Sequence, residues 1–238
     1  MAHSRCGPNR RLFFASRYWR WALSTIVPIA IGCISAAGPA SAQQGNLDYY
    51  VPREGQAAQL FRNVEGYHLE QGRLKMGARN FSGAFEDFDF ILGYYPNHPT
   101  VLDLASQLCA QYKFPRCDMD ARFEQAVARN PKVATTYVLM GIHYHRVGKI
   151  DAAIRSYKQA LEIKPDSFNA YYNLGLAYVE QKQFALASNA AQHAYALGAP
   201  LPGLREKLKA VGAWQPSEPP IPPKTDNVPS ASPQPAGK

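Results

Sequence analysis

Two consecutive stretches of 34 residues decide the fold of this chain. Residues 134–167 read ATTYVLMGIHYHRVGKIDAAIRSYKQALEIKPDS, and residues 168–201 read FNAYYNLGLAYVEQKQFALASNAAQHAYALGAPL. When the second stretch is aligned with the first, identical or similar residues coincide at Tyr137/Tyr171, Met140/Leu174, Gly141/Gly175, Tyr144/Tyr178, Ala153/Ala187 and Ala160/Ala194. A fixed period of this length is typical of repeat proteins, in which each repeat is one supersecondary unit.

The same pattern continues towards the N-terminus. Residues 65–98 carry Gly72, Ala84, Phe88 and Pro96 at the corresponding places. The intervening stretch is one residue longer and less regular. The repeats are therefore predicted at 65–98, 99–133, 134–167 and 168–201.

This pattern of small, aromatic and proline residues resembles the tetratricopeptide repeat (TPR). The resemblance implies an all-α fold, an α-solenoid of stacked antiparallel helix pairs wound as a right-handed superhelix, with a C-terminal capping helix. The residues themselves support close helix pairs, because Gly141 and Ala153 are small enough to let two helices cross in contact. Tyr144 and Tyr157 fill the space beside the small residues, and Gly148 permits a tight turn.

Apolar residues spaced about 3.6 residues apart predict the helices, and no stretch predicts a strand. The predicted helices are 55–78, 83–95, 99–112, 117–129, 134–147, 150–163, 168–181, 184–197 and 201–211.

The repeats form one predicted domain, residues 55–213, which ends in a capping helix at 201–212. Leu204, Leu208 and Val211 give that helix an apolar face. Residues 214–238 are rich in proline and predict a disordered tail, which is either a spacer or partner ligand or a dispensable end.

The first 42 residues have the order of a secretory signal peptide, with a basic start, an apolar stretch and a small-residue cleavage site before Gln43. The leader holds five arginines and no acidic residue, so the formal charge of +8 falls to +3 for the remaining chain, and no nucleic-acid partner is expected. The prediction is a protein of the bacterial periplasm or cell envelope with no retained transmembrane helix. Twin-arginine export and a lipid on Cys33 remain open alternatives. Residues 43–54 predict an extended segment, and one possibility is that this segment fills the chain's own groove by lying across a neighbouring helix.

Two cysteines remain after the leader, Cys109 and Cys117. An even pair in an oxidising compartment predicts a disulfide, and two buried free thiols are the alternative.

The sequence predicts no catalytic residues, no cofactor and no metal site. His143 and His145 are the strongest metal-binding candidates, but residues two apart on a helix point about 200° away from each other and do not share one ion. His143 is expected on the outer side of its helix and His145 on the inner side.

The resemblance implies a concave groove formed by the first helix of each repeat, which binds a protein or peptide. The residues at the family's groove positions are Leu69, Arg73, Asp103, Gln107, Thr135, Val138, Ile142, His145, Asn169, Tyr172, Asn173 and Leu176. A peptide is expected to lay apolar side chains on Val138, Ile142, Tyr172 and Leu176. The implied function is a scaffold or adaptor in envelope assembly or maturation. Two alternatives are an accessory subunit of an envelope enzyme and a binder of small apolar or glycan ligands; the partner and the oligomeric state are left open.

Overall fold

A computed structural model describes residues 47–112 and 114–215 of the 238. The predicted signal peptide and nearly all of the predicted tail lie outside these residues. The helices are α1 Gly55–Phe61, α2 Tyr67–Gly77, α3 Phe81–Tyr94, α4 Pro99–Tyr112, α5 Met119–Arg129, α6 Ala134–Arg146, α7 Ile150–Ile163, α8 Phe168–Glu180, α9 Phe184–Ala196 and α10 Gly203–Ala210. A π-helical turn, Arg62–Gly66, joins α1 to α2. In this part of the chain, no helix is both long and apolar enough to span a bilayer.

The helices pack as four consecutive pairs. These are α2/α3, α4/α5, α6/α7 and α8/α9, which we call repeats 1 to 4, and α10 packs on the last pair. The predicted helix boundaries agree with the observed ones to within two residues for most helices, and no strand occurs among the described residues. The prediction of an all-helical stack of antiparallel pairs is therefore confirmed.

Glycines allow the two helices of a repeat to touch. A Cβ atom added at Gly141 would lie 2.4 Å from the ring of Tyr157, and one at Gly72 would lie 2.3 Å from the ring of Phe88. Both rings are fully buried. Because a larger residue would push each pair apart, the small residues fix the distance between the helices.

The turn between the two helices has the same backbone conformation in three repeats. Its left-handed residue is Gly148 in repeat 3, with φ +76°, and Arg79 and Lys182 in repeats 1 and 4, each with φ 60°. The residue after it donates its N–H to a carbonyl five residues back, as Lys149 does to Tyr144 at 2.8 Å. This is the Schellman pattern, which satisfies the free carbonyls at the end of a helix.

Repeat 2 is the irregular one. Its helices α4 and α5 make far less extensive contact than the helices of the other repeats. The predicted disulfide is present, since Cys109 in α4 is bonded to Cys117 before α5. In the chain-entropy model, closing so short a loop stabilises the fold by about 2.5 kcal/mol, which offsets part of the missing contact.

The C-terminal end is covered by α10. Leu204 and Leu208 are fully buried, as predicted, but Val211 is about half exposed and lies beyond the end of the helix. Trp214, at the boundary between the predicted domain and the predicted tail, packs edge-on to the ring of Tyr195, with 5.7 Å between the ring centres. The apolar ring is kept on the domain by this contact.

Candidate functional site

The first helices of repeats 2 to 4 lie on one side of the stack. Helix α4 packs directly on α6, and α6 contacts α8, whereas no comparably extensive contact joins successive second helices in the described chain. Closer spacing on one side makes a stack curve towards that side, so the first helices form its inner surface. We call the surface made by the predicted groove residues the inner wall.

The inner wall is more polar than the sequence suggests. Its exposed members come one from each first helix and are Arg73, Gln107, Thr135 and Asn169. Its half-buried members are Leu69, Asp103, Ile142, His145, Asn173 and Leu176. A ligand on this surface therefore meets mainly polar side chains, with Ile142 and Leu176 between them.

Two predicted groove residues belong mainly to the core. Val138 is 7% exposed and packs with Ala160 and Ala170. Tyr172 is 9% exposed, and its hydroxyl lies close enough to Gly203 that an added Cβ there would be 3.1 Å away. Adjacent helices cover both side chains, so the peptide contacts expected of them are largely unavailable.

Polar side chains connect neighbouring first helices along the inner wall. Arg146 of α6 forms a 2.8 Å ion pair with Asp103 of α4 and donates a 3.1 Å hydrogen bond to Ser106. Gln107 also donates to Asp103, at 2.9 Å. The Asp103 carboxylate is therefore held by side chains from two helices.

A similar contact joins repeats 3 and 4. His145 Nε2 lies 2.8 Å from Glu180 Oε1, and Asn173 donates to the carbonyl of Asn169 at 2.8 Å. Arg146 and Glu180 were missed by the sequence-based prediction. They are 34 residues apart and therefore occupy one position of the repeat, which is the signal that identifies them.

The segment before α1 binds the loops between repeats. Asp48 accepts hydrogen bonds from the side chains of Asn97 and Asn130, both at 2.7 Å, and from the Tyr50 N–H at 3.0 Å. Burial opposes ionisation of Asp48, but these hydrogen bonds outweigh it and lower its pKa. Since Asn97 follows α3 and Asn130 follows α5, one carboxylate ties two successive loops together. The described part of this segment, from Leu47, thus lies against the loops that follow α3 and α5.

Arg53 fixes the other end of this segment. It donates to the carbonyls of Asp48 and Tyr49 at 2.8 and 2.7 Å. Its guanidinium lies 4.2 Å from the ring centre of Phe61 and 4.9 Å from that of Tyr95, within the range of cation–π attraction. The segment also reaches the inner wall, because the Tyr50 hydroxyl interacts with the side chain of Thr135, which nevertheless stays exposed.

A buried histidine lies beneath the same segment. The His98 Nδ1 accepts from the Val101 N–H at 3.4 Å, and its Nε2 lies 3.0 Å from Glu65. The acceptor role of Nδ1 leaves the proton of a neutral ring on Nε2, where it is donated to Glu65. Burial lowers the pKa of His98, although Glu65 acts in the opposite direction.

The expected outer position of His143 is wrong. His143 is buried between repeats 2 and 3, with Nδ1 3.0 Å from Ser106 Oγ and Nε2 3.5 Å from Asp120. Burial lowers the pKa of its imidazole. Within residues 47–112 and 114–215, no three His, Cys, Asp or Glu side chains are grouped closely enough to hold a metal ion.

Family models match the two most regular repeats. One described as "TPR repeat" covers residues 143–182, and one described as "Tetratricopeptide repeat" covers residues 168–197. A curated relative, the tetratricopeptide repeat domain-containing protein PYG7, chloroplastic, of Arabidopsis thaliana, is 36% identical over 58 residues. That match covers 24% of this chain and 19% of the relative's length.

Known structures with similar folds include the thermophilic TPR protein TTC0263 of Thermus thermophilus, with 19% identity and a TM-score of 0.49 over 63% of this chain and 84% of that one. PilF of Pseudomonas aeruginosa has 15% identity and a TM-score of 0.49 over 63% and 70% of the two chains. A MamA protein has 19% identity and a TM-score of 0.47 over 63% and 84%. The family-model matches and the stacked helix pairs described above identify residues 143–197 as tetratricopeptide repeats.

Proposed function

We propose that this chain is an exported adaptor of the bacterial cell envelope, which binds a segment of another protein on its inner wall during assembly or maturation of an envelope structure. The observation that carries the proposal is that each of the four first helices contributes one exposed polar side chain at a predicted groove position: Arg73, Gln107, Thr135 and Asn169. Exposed polar side chains on several helices offer an extended polypeptide repeated hydrogen-bonding partners along its length.

The chemistry of the wall supports a polar or mixed ligand. Asp103 is paired with Arg146, and His145 with Glu180, so neither sign of charge dominates this surface. Ile142 and Leu176 lie half buried between these pairs and provide small apolar contact areas. The expected ligand is an extended segment with alternating polar and small apolar side chains.

The binding proposal is tested with a variant that keeps the core intact. In Thr135→Arg/Asn169→Arg, both changes are on exposed inner-wall positions, whereas Gln125→Arg/Asn189→Arg adds the same charge to exposed positions of α5 and α9. Tagged proteins would be incubated with an envelope fraction, and the captured proteins would be identified by mass spectrometry. We expect the first variant to lose proteins that the wild type and the second variant retain. Equal capture by all three would refute binding on the inner wall.

Export is supported by the leader's sequence and by the disulfide between Cys109 and Cys117, which is typical of oxidising compartments. Mass spectrometry of the protein from fractionated cells tests it. We expect a mature chain beginning at Gln43 in the periplasmic or envelope fraction. A chain retaining Met1 in the cytoplasmic fraction would contradict this part of the proposal.

A further inference from the structure

A cavity lies between the two helices of repeat 3, away from the inner wall. Its volume is about 270 Å³, and its lining residues are Tyr137, Met140, Tyr144, Ala152, Arg155, Ser156 and Gln159. We call it the repeat-3 pocket. Its α6 residues are spaced three, four and seven apart and share one face of the helix. At 100° per residue, this face is opposite the one that carries Thr135 and Ile142.

In repeats 1 and 4, the positions equivalent to the repeat-3 pocket are occupied by an aromatic ring. In repeat 4, the ring of His193 stacks on that of Tyr171 with 4.8 Å between their centres. In repeat 1, the ring of Phe90 lies 4.1 Å from that of His68. Tyr171 and His68 correspond to Tyr137 by the repeat spacing, and both of their partners correspond to Gln159. Two repeats therefore fill the site with an aromatic ring from their own second helix.

Repeat 3 has the aromatic ring on its first helix, Tyr137, but its second helix has Gln159 where repeats 1 and 4 have an aromatic residue. Gln159 is exposed, and Ala152 and Ser156 are too small to cover Tyr137. The Ser156 hydroxyl is already used, because it donates to the Ala152 carbonyl at 3.0 Å. The bottom of the pocket is formed by the half-buried side chains of Tyr137, Met140 and Tyr144. Aromatic rings and methionine sulfur make favourable contacts with another aromatic ring.

The segments that flank the described residues after the leader supply no such ring. Residues 43–46 and 216–238 contain no Phe, Tyr, Trp or His, and the aromatic residues of the leader are removed if the signal peptide is cleaved. The pocket is also smaller than the roughly 300–1,000 Å³ of sites that enclose whole small molecules. At its rim, the exposed Arg155 and Gln159 are able to donate hydrogen bonds to backbone carbonyls on either side of an inserted side chain.

We infer that the repeat-3 pocket binds an aromatic side chain carried by another polypeptide. This site is separate from the inner wall. It gives the chain a second, side-chain-specific contact on the opposite face of α6. The inference holds whether or not the inner wall binds a ligand.

The test uses a pentapeptide as the probe, acetyl-Gly-Ser-Trp-Ser-Gly-amide, titrated into isotopically labelled protein and followed by NMR. We expect shifts of the Tyr137, Tyr144 and Ser156 amide signals, and binding about fivefold weaker when leucine replaces tryptophan in the peptide. Shifts elsewhere with none at these three residues, or equal affinity of the leucine peptide, would overturn the inference.

Three variants make the test specific. Gln159→Phe copies Phe90 of repeat 1 and should fill the pocket and abolish the shifts. Gln125→Phe adds a ring at the equivalent exposed position of repeat 2 and should leave them unchanged. Thr135→Arg alters the inner wall only and should also leave them unchanged, which separates this inference from the proposed function. Peptide binding by Gln159→Phe equal to that of the wild type would contradict the assignment.

N-acetyltryptophanamide, titrated in parallel, separates a polypeptide ligand from a small molecule. We expect it to bind more weakly than the tryptophan pentapeptide, because it lacks the flanking carbonyls that Arg155 and Gln159 would contact. Binding tighter than that of the pentapeptide would overturn the assignment to a polypeptide.

Discussion

The two ends of the repeat stack differ in how far their apolar residues are covered. At the C-terminal end, α10 covers repeat 4 and buries Leu204 and Leu208 completely. At the N-terminal end, Tyr67 and Leu74 of α2 are 62% and 56% exposed. The corresponding residues of α6 are Thr136 and His143, which are buried under the preceding repeat.

Burial at these positions is thus decided by the neighbouring repeat and not by the residue type. The polar residues Thr136 and His143 are buried in the middle of the stack, while Tyr67 and Leu74, at the corresponding positions of α2, are exposed at its end. Each repeat is incomplete by itself and requires the next layer to cover its open side. The open end and the covered end should consequently respond very differently to the same substitution.

The largest difference is expected for leucine truncation. Leu204→Ala should lower the free energy of unfolding by about 2–5 kcal/mol, because it leaves a cavity under α10. Leu74→Ala, the matched change at the open end, should cost at most about 0.5 kcal/mol. Urea unfolding followed by circular dichroism measures both. Equal losses of unfolding free energy in the two variants would show that Leu74 is covered in solution. Such a result would contradict the difference described between the two ends.

The next test uses Gly72 in α2 of repeat 1 and Gly175 in α8 of repeat 4. Gly72→Ala should destabilise the protein by about 1–3 kcal/mol, since its new Cβ would meet the fully buried, rigid ring of Phe88. Gly175→Ala should cost less, because its closest contact would be a terminal methyl of Leu204, which is able to rotate away. Thermal unfolding of both variants gives the order, and a larger loss for Gly175→Ala would contradict it.

The pH dependence of stability tests the buried middle of the stack. Burial lowers the folded-state pKa of His98 and His143 below the ordinary 6.5. As the pH falls from 6.5 towards these lowered values, the unfolded chain binds more protons than the folded one, so stability should decrease. At His143, Asp120 opposes the shift and Lys149 and Arg146 add to it.

His143→Leu copies the residue at the equivalent position of α2 and should reduce this pH dependence. Urea unfolding at a series of pH values from about 7.5 to about 5.5, which spans the ordinary pKa of histidine, provides the measurement. An unchanged slope in the variant would contradict this account, because it would show that His143 binds protons equally in the folded and unfolded chains.

The smallest effect is expected at the turns. Arg79→Gly near the open end and Lys182→Gly near the covered end should each stabilise the protein by about 0.5 kcal/mol, because both residues have φ 60° and only glycine adopts it without a steric cost. Gly148→Ala, the reverse change in repeat 3, should be destabilising. Thermal unfolding resolves the signs, and destabilisation by both glycine substitutions would contradict the conformations described.

The sequence predicted the helices well because the determining signals are local. Gly141, Gly148 and the spacing of apolar residues act within one repeat, and a 34-residue period shows them twice. Ser167 illustrates the same point, since it caps α8 by accepting a 3.3 Å hydrogen bond from Ala170. The disulfide followed from counting cysteines once the leader was set aside.

What the sequence did not predict depends on contacts between repeats. The burial of Val138, Tyr172 and His143 is set by helices from other repeats or by α10, which no pattern within one repeat reveals. Asp48 lies 49 residues from Asn97 and 82 from Asn130, so its hydrogen bonds have no local signal. The repeat-3 pocket becomes visible only when the equivalent rings of the other repeats are compared in three dimensions.

Binding of a polypeptide on the inner wall is the central claim, and photo-cross-linking in living cells tests it most directly. A benzophenone amino acid would be placed at Gln107, Thr135 or Asn169, and as controls at Gln125 or Asn189 on the second helices. We expect the three inner-wall positions to yield the same cross-linked partner and the two controls to yield none of it. Adducts with that partner from the controls alone, or none from any inner-wall position, would contradict the account.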